Sequence, residues 1–177
     1  MLYAGALDVA GRLYGRSDYS QQAVAVRETI RRQSFDGEFF VDNAVRGPDG
    51  LTVTRNRSEA CQYYAFYFGV ATPESHAGLW QKLVKEFGPK RKETNAYPDV
   101  HPANTFIGDY LRLELLSRAG LVRQILSESK DFFLYMAERT GTLWENRGTN
   151  ASTNHGFASH IAHILVRDVL GVRTLDI

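Results

Sequence analysis

Apolar residues along this chain recur three or four positions apart, the spacing that lines one face of an α-helix. The first such stripe consists of Leu2, Ala6, Val9, Ala10 and Leu13, and Gly15 ends it. Six further helices are predicted. Ser17 and Thr72 are candidate caps of two of them, and the others are predicted to begin at or near Ser58, Asn104, Val122 and Thr153. Glycines are expected to end two of them, at Gly120 and Gly171. Only residues 50–55, "GLTVTR", have a strand-like pattern, so the sequence predicts an all-α fold.

The connections between these helices alternate in length. Those after the first, third and fifth helices are short, whereas residues 36–57, 88–103 and 141–152 form long polar connections. In antiparallel helical hairpins packed side by side, every second connection emerges at the same end. We therefore expect the three long loops to gather on one face. Loops of this length usually serve a function, and their polar and aromatic residues suit a polar ligand.

Composition narrows the class of protein further. The chain has 177 residues, 44% of them hydrophobic, which is enough for one folded domain. Its 21 basic and 20 acidic residues nearly cancel, so charge indicates neither nucleic acid nor an anionic membrane as a partner. No apolar run is long enough for a membrane span. The single cysteine, Cys61, excludes an internal disulfide and is expected to be a buried thiol. Nothing indicates the compartment.

The third long loop, "GTLWENRGTNASTNHGF", contains the best candidates for chemistry. Glu145 directly follows Trp144, whose indole could exclude water from a carboxylate that transfers protons. A solvated glutamate beside a core tryptophan would give the same sequence. Asn154 and His155 precede the last helix, so the ends of the loop should lie near each other. A histidine at the position of His155 is, taken alone, more often structural than a ligand, and no HExxH pattern or cysteine partner predicts a metal site.

Two further candidates for binding a polar ligand lie in the other long loops. His101 follows Asp99 in "NAYPDVHPA", where two prolines stiffen the chain. Asp42 and Asn43 follow two phenylalanines in "FFVDNA", and aromatic rings beside carboxylate and amide groups commonly bind sugars. Ordinary surface loops can have the same composition, and that alternative stays open for both segments.

Three segments together resemble a known family: "RSEACQYYAFYFGVATPE" at 57–74, "HPANTFIGDYLRLELLSRAG" at 101–120 and "TLWENRGTNASTNHGFAS" at 142–159. They are similar to the second half of the catalytic domain of bacterial α-L-rhamnosidases, glycoside hydrolase family 78, within the six-hairpin glycosidases. The resemblance covers most of the chain. It implies antiparallel helical hairpins that form about half of an (α/α)6 toroid, with residues 1–177 as the C-terminal portion of that domain.

The resemblance also implies a reaction, the hydrolysis of a rhamnoside or related glycoside with inversion and without a cofactor or metal. Glu145 would be the general base that activates water, His155 would bind a sugar hydroxyl and Trp144 would shape the subsite. From their places in the long loops, and not from the resemblance, Asn154, Asp42 and His101 are also expected to contact the substrate. Inversion needs a second carboxyl group, the general acid, about 6.5 to 9.5 Å from the first. In the family it lies in the first half of the toroid, so this chain is expected to be a fragment that is inactive alone, and that self-associates or pairs with the missing half.

Two other classes of function remain open. The chain could be a sugar-binding remnant that keeps the cleft without catalysis. Its repeat of about 45 residues is also near that of armadillo and HEAT arrays, so it could be a helical scaffold for protein partners. The scaffold would need a broad apolar surface, whereas a sugar site would need a polar pocket lined by carboxylates.

Overall fold

The computed structural model describes residues 1–103, 106–148 and 151–172. Most of these residues are helical, which confirms the prediction of a mainly α-helical chain. The chain divides into two compact units. Unit 1 comprises Met1–Glu86 and Tyr97–His101, and unit 2 comprises Phe87–Ala96 and Pro102–Ile177. The single toroidal domain and the gathering of the long loops on one face stay predictions.

Unit 1 contains four helices: α1 Leu2–Tyr14, α2 Ser17–Ser34, α3 Glu59–Tyr67 and α4 Ala77–Lys85. The first helix ends at Gly15 as predicted, where φ is 63°. Glycine adopts this left-handed conformation without the steric cost of a Cβ atom. Packing of α1 against α2 is close, because a Cβ atom on Gly11 would lie only 2.7 Å from the hydroxyl oxygen of Ser20.

The helix starts agree with the sequence only in part. Ser58 caps α3, since its hydroxyl accepts a hydrogen bond from the backbone N–H of Cys61 at 3.1 Å. Ser17 is already helical and therefore is not the cap that its sequence position suggested. The hydroxyl of Thr72 accepts from the N–H of Ser75, but this closes a separate turn, and α4 begins only at Ala77. A threonine followed by proline suits such a turn as well as a helix start.

Two short pairings of strands complete unit 1. Strands β1 Ala44–Gly47 and β2 Gly50–Val53 form an antiparallel hairpin, which confirms the strand-like pattern of the first long loop. Strands β3 Arg57–Ser58 and β4 Val100–His101 pair in parallel, with Ser58 opposite His101. The second pairing was not predicted, because two residues are too few to show an alternating pattern.

Unit 2 is a series of short helical segments: α5 Arg91–Thr94, α6 Phe106–Arg118, α7 Val122–Ser129, α8 Tyr135–Thr140 and α9 His160–Ile164. A π-helical segment, Lys130–Leu134, joins α7 to α8, so the predicted sixth helix is present as one run. The last helix begins with a 3₁₀ turn, Gly156–Ser159, rather than near Thr153, and continues through a π-helical segment, Leu165–Val169. The predicted start of the fifth helix at Asn104 lies outside the described residues.

One apolar cluster forms the core of unit 2, and it consists of Leu113, Leu116, Ile125, Phe132, Phe133, Met136, Trp144, Ile161 and Ile164. Arg112 is almost completely buried, and its guanidinium forms a fork with Glu128, with distances of 2.5 and 2.7 Å. Gly88 lies against this pair, and a Cβ atom there would be 2.7 Å from Nε of Arg112. Across the described ranges, no helix combines the length and the apolar character that crossing a bilayer requires.

Candidate functional site

The loop between α8 and the 3₁₀ turn folds back on itself in unit 2. The backbone N–H of Glu145 donates to the carbonyl of Ser152 at 2.9 Å, and the N–H of His155 donates to the carbonyl of Leu143 at 2.8 Å. These bonds place the two ends of the loop side by side, as its sequence position predicted. We call residues 141–155 the Glu145 loop.

Trp144 attaches the Glu145 loop to the core. Its side chain is only 8% exposed, and its indole N–H donates to the hydroxyl of Thr140 at 2.8 Å. Its ring meets that of Tyr135 edge-on, with centroids 5.7 Å apart. Trp144 is therefore a core residue, the alternative that the sequence left open. Its role in shaping a sugar subsite stays a prediction.

The polar residues of the loop are accessible to different degrees. Glu145 is half-buried, and no group in the described parts of the chain forms a hydrogen bond or ion pair with its carboxylate. Asn154 is exposed and His155 is half-buried. The imidazole of His155 lies beside the ring of Phe157, at 5.7 Å between centroids, and Phe157 is 72% exposed. An open aromatic ring therefore adjoins His155, a feature that the sequence analysis did not single out.

Asp42 and His101, the other two predicted binding residues, belong to unit 1. One carboxylate oxygen of Asp42 accepts two hydrogen bonds from Ser58, from its backbone N–H and its hydroxyl, both at 2.9 Å. His101 is exposed and lies opposite Ser58 in the parallel pairing. Asp42 thus fixes the start of α3. Contact of either residue with a sugar stays a prediction.

Unit 1 also contains a cavity of about 490 Å³ with an ionic cluster on its wall. The guanidinium of Arg57 lies 2.6 Å from a carboxylate oxygen of Asp36 and 2.5 Å from one of Asp99. Burial opposes ionisation of Asp36, but hydrogen bonds from two backbone N–H groups and Arg57 outweigh it and lower the pKa of its carboxyl group. These three residues carry one positive and two negative charges, and Arg55, which also lines the cavity, offsets the remaining negative charge. The lining therefore has no strong preference for an ion.

A second cavity, of about 260 Å³, lies in unit 2 beside the Glu145 loop. Arg147, on that loop, places its guanidinium carbon 5.0 Å from the centroid of the Tyr135 ring and 5.6 Å from that of Phe132. The ring of Tyr135 also contacts Trp144, so the wall of the cavity and the loop share a residue. The cavity is lined by Gly88, Pro89, Arg91, Lys92, Glu93, Ala103, Phe132, Tyr135 and Arg147. We call it the Arg147 cavity.

Sequence reasoning missed the Arg147 cavity because none of its polar residues forms a recognisable pattern. Arg147 is one arginine in a polar loop, and Lys92 and Glu93 belong to a charged run that suits any solvated surface. The only signal was the closeness of Arg147 to Glu145 in "WENR". The stacking on Phe132 and Tyr135 depends on contacts between segments distant in sequence.

Two titratable side chains are unsuited to chemistry in their present environment. The thiol of Cys61 lies 3.8 Å from the carbonyl oxygen of Val41, and burial raises its pKa to about 12. Burial lowers the pKa of His160, whose ring packs against Tyr110 at 4.8 Å between centroids. Neither group is an activated nucleophile or a charged acid at neutral pH. Among the described residues, no group of three or more His, Cys, Asp or Glu is arranged to hold a metal ion.

No protein-family model matches this sequence, and no curated protein is significantly similar to it. The resemblance to α-L-rhamnosidases therefore rests on the three motif segments alone and stays a prediction.

Proposed function

We propose that this chain is the part of an inverting glycoside hydrolase that contains the general base, and that Glu145 is that base. The observation that carries the proposal is the half-buried carboxylate of Glu145, which has no hydrogen-bond partner among the described residues. A general base must accept a proton from water, so at least one of its oxygens must be free of permanent donors. The backbone bond to Ser152 and the buried Trp144 fix the residue without using the carboxylate.

The neighbours of Glu145 suit a sugar. Phe157 offers an exposed ring on which the apolar face of a pyranose can stack, and His155 beside it can form a hydrogen bond with a hydroxyl. Asn154 adds an exposed amide that can both donate and accept. Together with the motif resemblance, this combination favours a rhamnoside or related glycoside as the substrate.

The proposal includes the architecture and the second catalytic group. We propose that the helices form antiparallel hairpins that make about half of an (α/α)6 toroid. The short connections between α1 and α2 and between α6 and α7, with contacts within each pair, support this arrangement. The general acid would belong to the first half of the toroid. The 177-residue chain would then bind sugar, and it would hydrolyse only substrates whose leaving group needs no protonation.

A glycosyl fluoride tests this proposal, because fluoride departs with little help from an acid. We expect the chain to hydrolyse α-L-rhamnosyl fluoride to β-L-rhamnose and to leave methyl α-L-rhamnoside intact. Glu145→Gln should lower fluoride hydrolysis by about 10²- to 10⁴-fold, the usual contribution of a general base. Glu138→Gln changes an exposed glutamate on α8 in the same way and should leave the rate unchanged.

Added azide provides a second readout, because this anion attacks the anomeric carbon without needing a base. It should restore turnover in the Glu145→Gln variant and form the β-azide. Retention of configuration, or equal rates for Glu145→Gln and the unsubstituted chain, would contradict the proposal. Binding of L-rhamnose without turnover of the fluoride would instead favour the sugar-binding remnant.

A further inference from the structure

We propose that the Arg147 cavity binds an anionic group, a carboxylate or sulfate ester, on the saccharide that the Glu145 loop contacts. This inference rests on the proposed function and adds a substrate class to it: acidic saccharides rather than neutral ones. The cavity and the loop are joined through Tyr135, whose ring contacts both Arg147 and Trp144. Arg147 is also only two positions from Glu145 along the chain.

The charged side chains that line the cavity carry a net positive charge. Neither Arg147 nor Lys92 has an ion-pair partner in the described ranges, and both line the cavity. Lys90, which does not line it, is paired with Asp131 at 3.3 Å. Against these two cations the lining of the cavity holds a single carboxylate, that of Glu93. An excess of cations on a concave surface attracts a negatively charged ligand group.

The position of Arg147 over two aromatic rings suits recognition of an anion that presents two neighbouring oxygens. A guanidinium stacked on aromatic rings is held by its face, which leaves the N–H groups on its edge available. These N–H groups match the two oxygens of a carboxylate, or two oxygens of a sulfate, and can donate to both at once. Because Phe132 and Tyr135 already hold the side chain, little of its conformational freedom remains to be lost on binding.

The size and the remaining lining of the cavity indicate one sugar unit. Its volume of about 260 Å³ is slightly below the usual range for ligand pockets, so it can hold a single residue and not an oligosaccharide. Glu93 can accept hydrogen bonds from hydroxyl groups, while Pro89 and Ala103 offer apolar contact. A uronate or a sulfated hexose combines the groups that this lining would bind.

Isothermal titration of the 177-residue chain with sodium D-galacturonate, D-galactose 6-sulfate and D-galactose tests the inference. We expect the galacturonate, the sulfated sugar or both to bind at least about tenfold more tightly than galactose, because one charge-assisted hydrogen bond is worth that much. Arg147→Gln should remove this preference, and Arg147→Lys should retain part of it. The galacturonate and sulfate arms distinguish the two sources of negative charge.

Arg139 provides a matched control. Its guanidinium carbon lies 4.3 Å from the centroid of the same Tyr135 ring, but it does not line the cavity. Arg139→Gln should therefore leave the affinity for acidic sugars unchanged. Equal binding of galactose and both acidic sugars, or equal losses in the Arg139 and Arg147 variants, would overturn the inference. Sodium sulfate that binds as tightly as the sugars would reduce the cavity to a simple anion site and overturn the saccharide assignment.

The two proposals fail in different ways. Binding of galacturonate that depends on Arg147, without fluoride hydrolysis that depends on Glu145, would leave the cavity site standing and refute the hydrolase. Fluoride hydrolysis that depends on Glu145, without any preference for acidic sugars, would refute the cavity site alone.

Discussion

The side-chain amide of Gln62 exchanges two hydrogen bonds with the backbone of Phe40 in the interior of unit 1. Its oxygen accepts from the N–H of Phe40 at 2.8 Å, and its nitrogen donates to the carbonyl of Phe40 at 2.9 Å. Gln62 and Phe40 are both fully buried. A residue of α3 thus supplies the pairing that a neighbouring strand would otherwise give to the "FFVDNA" segment, and it holds that segment in place.

Gln62→Ala should therefore destabilise the protein strongly. The substitution leaves a buried N–H and a buried carbonyl without partners, at a cost of about 1–3 kcal/mol for each group. Urea denaturation followed by circular dichroism measures the loss. Gln81→Ala removes an exposed amide on α4 and should change the free energy of unfolding by less than about 0.5 kcal/mol. Similar effects of the two substitutions would argue against the pairing.

Substitution of Gly88 should disturb unit 2 in a comparable way. Gly88→Ala puts a Cβ atom 2.7 Å from Nε of Arg112 and places alanine at φ 109°. We therefore expect the free energy of unfolding to fall by about 1–3 kcal/mol. Gly156→Ala is the control, because no atom lies within 4 Å of its added Cβ and its φ is not positive. Thermal unfolding curves of both variants test the difference. An unchanged midpoint for Gly88→Ala would contradict the packing of Gly88 against Arg112.

The fold shows which sequence signals were reliable. Gly15, Gly120 and Gly171 all have φ between 63° and 73°, and helix ends marked by glycine were predicted because other residues pay a steric cost there. The short helix Arg91–Thr94 was missed, since four residues are too few to show helical periodicity. Ser17 was predicted to be a cap because serine favours that position, but it is the first residue of the helix and Arg16 occupies the cap position.

Reactivity of Cys61 tests its environment in unit 1. A pKa of about 12, against an ordinary value of 9.0, means a thiolate fraction about 10³-fold smaller at pH 8 than in an unfolded chain. Iodoacetamide should therefore alkylate the native protein about a thousandfold more slowly than the protein in urea. Mass spectrometry after timed quenching gives both rates. Equal rates would show that the thiol is neither buried nor shifted.

Acid should weaken the fold through His160. Burial lowers its pKa below the ordinary value of 6.5, so the unfolded chain binds the proton more tightly than the native one. The contribution of His160 to the free energy of unfolding should be constant above pH 6.5 and fall as the pH drops from there to the lowered pKa. His160→Gln should flatten this part of the curve. Because burial also lowers the pKa of His76, the free energy of unfolding of the variant should still depend on pH in this range.

Nuclear magnetic resonance of the imidazole signals gives an independent measurement. The ring of His160 should titrate below 6.5 in the native protein and near 6.5 in urea. An unshifted native titration would contradict its burial against Tyr110 and Phe133.

The candidate site was less accessible to sequence reasoning than the fold. The approach of the two ends of the Glu145 loop followed from chain connectivity, and Glu145 itself was a candidate because it lies beside a tryptophan. The exposure of Phe157 and the stacking of Arg147 depend on which side chains the core leaves outside, and a single sequence does not contain that information. Asp42 was selected for its chemistry, but its contacts with Ser58 depend on the path of the first long loop.

The π-helical segment Lys130–Leu134 determines the directions in which the side chains of the following helix, α8, point around the helix axis. A π turn contains one residue more than an α turn, so it advances the subsequent side chains by about 100° around the axis. That advance decides which side of α8 Tyr135 occupies, and hence whether its ring meets Trp144 and Arg147. Loss of one residue from this segment would leave the helix intact and turn Tyr135 away from both. The geometry of the cavity is thus encoded partly in the number of residues here, and not only in their identity.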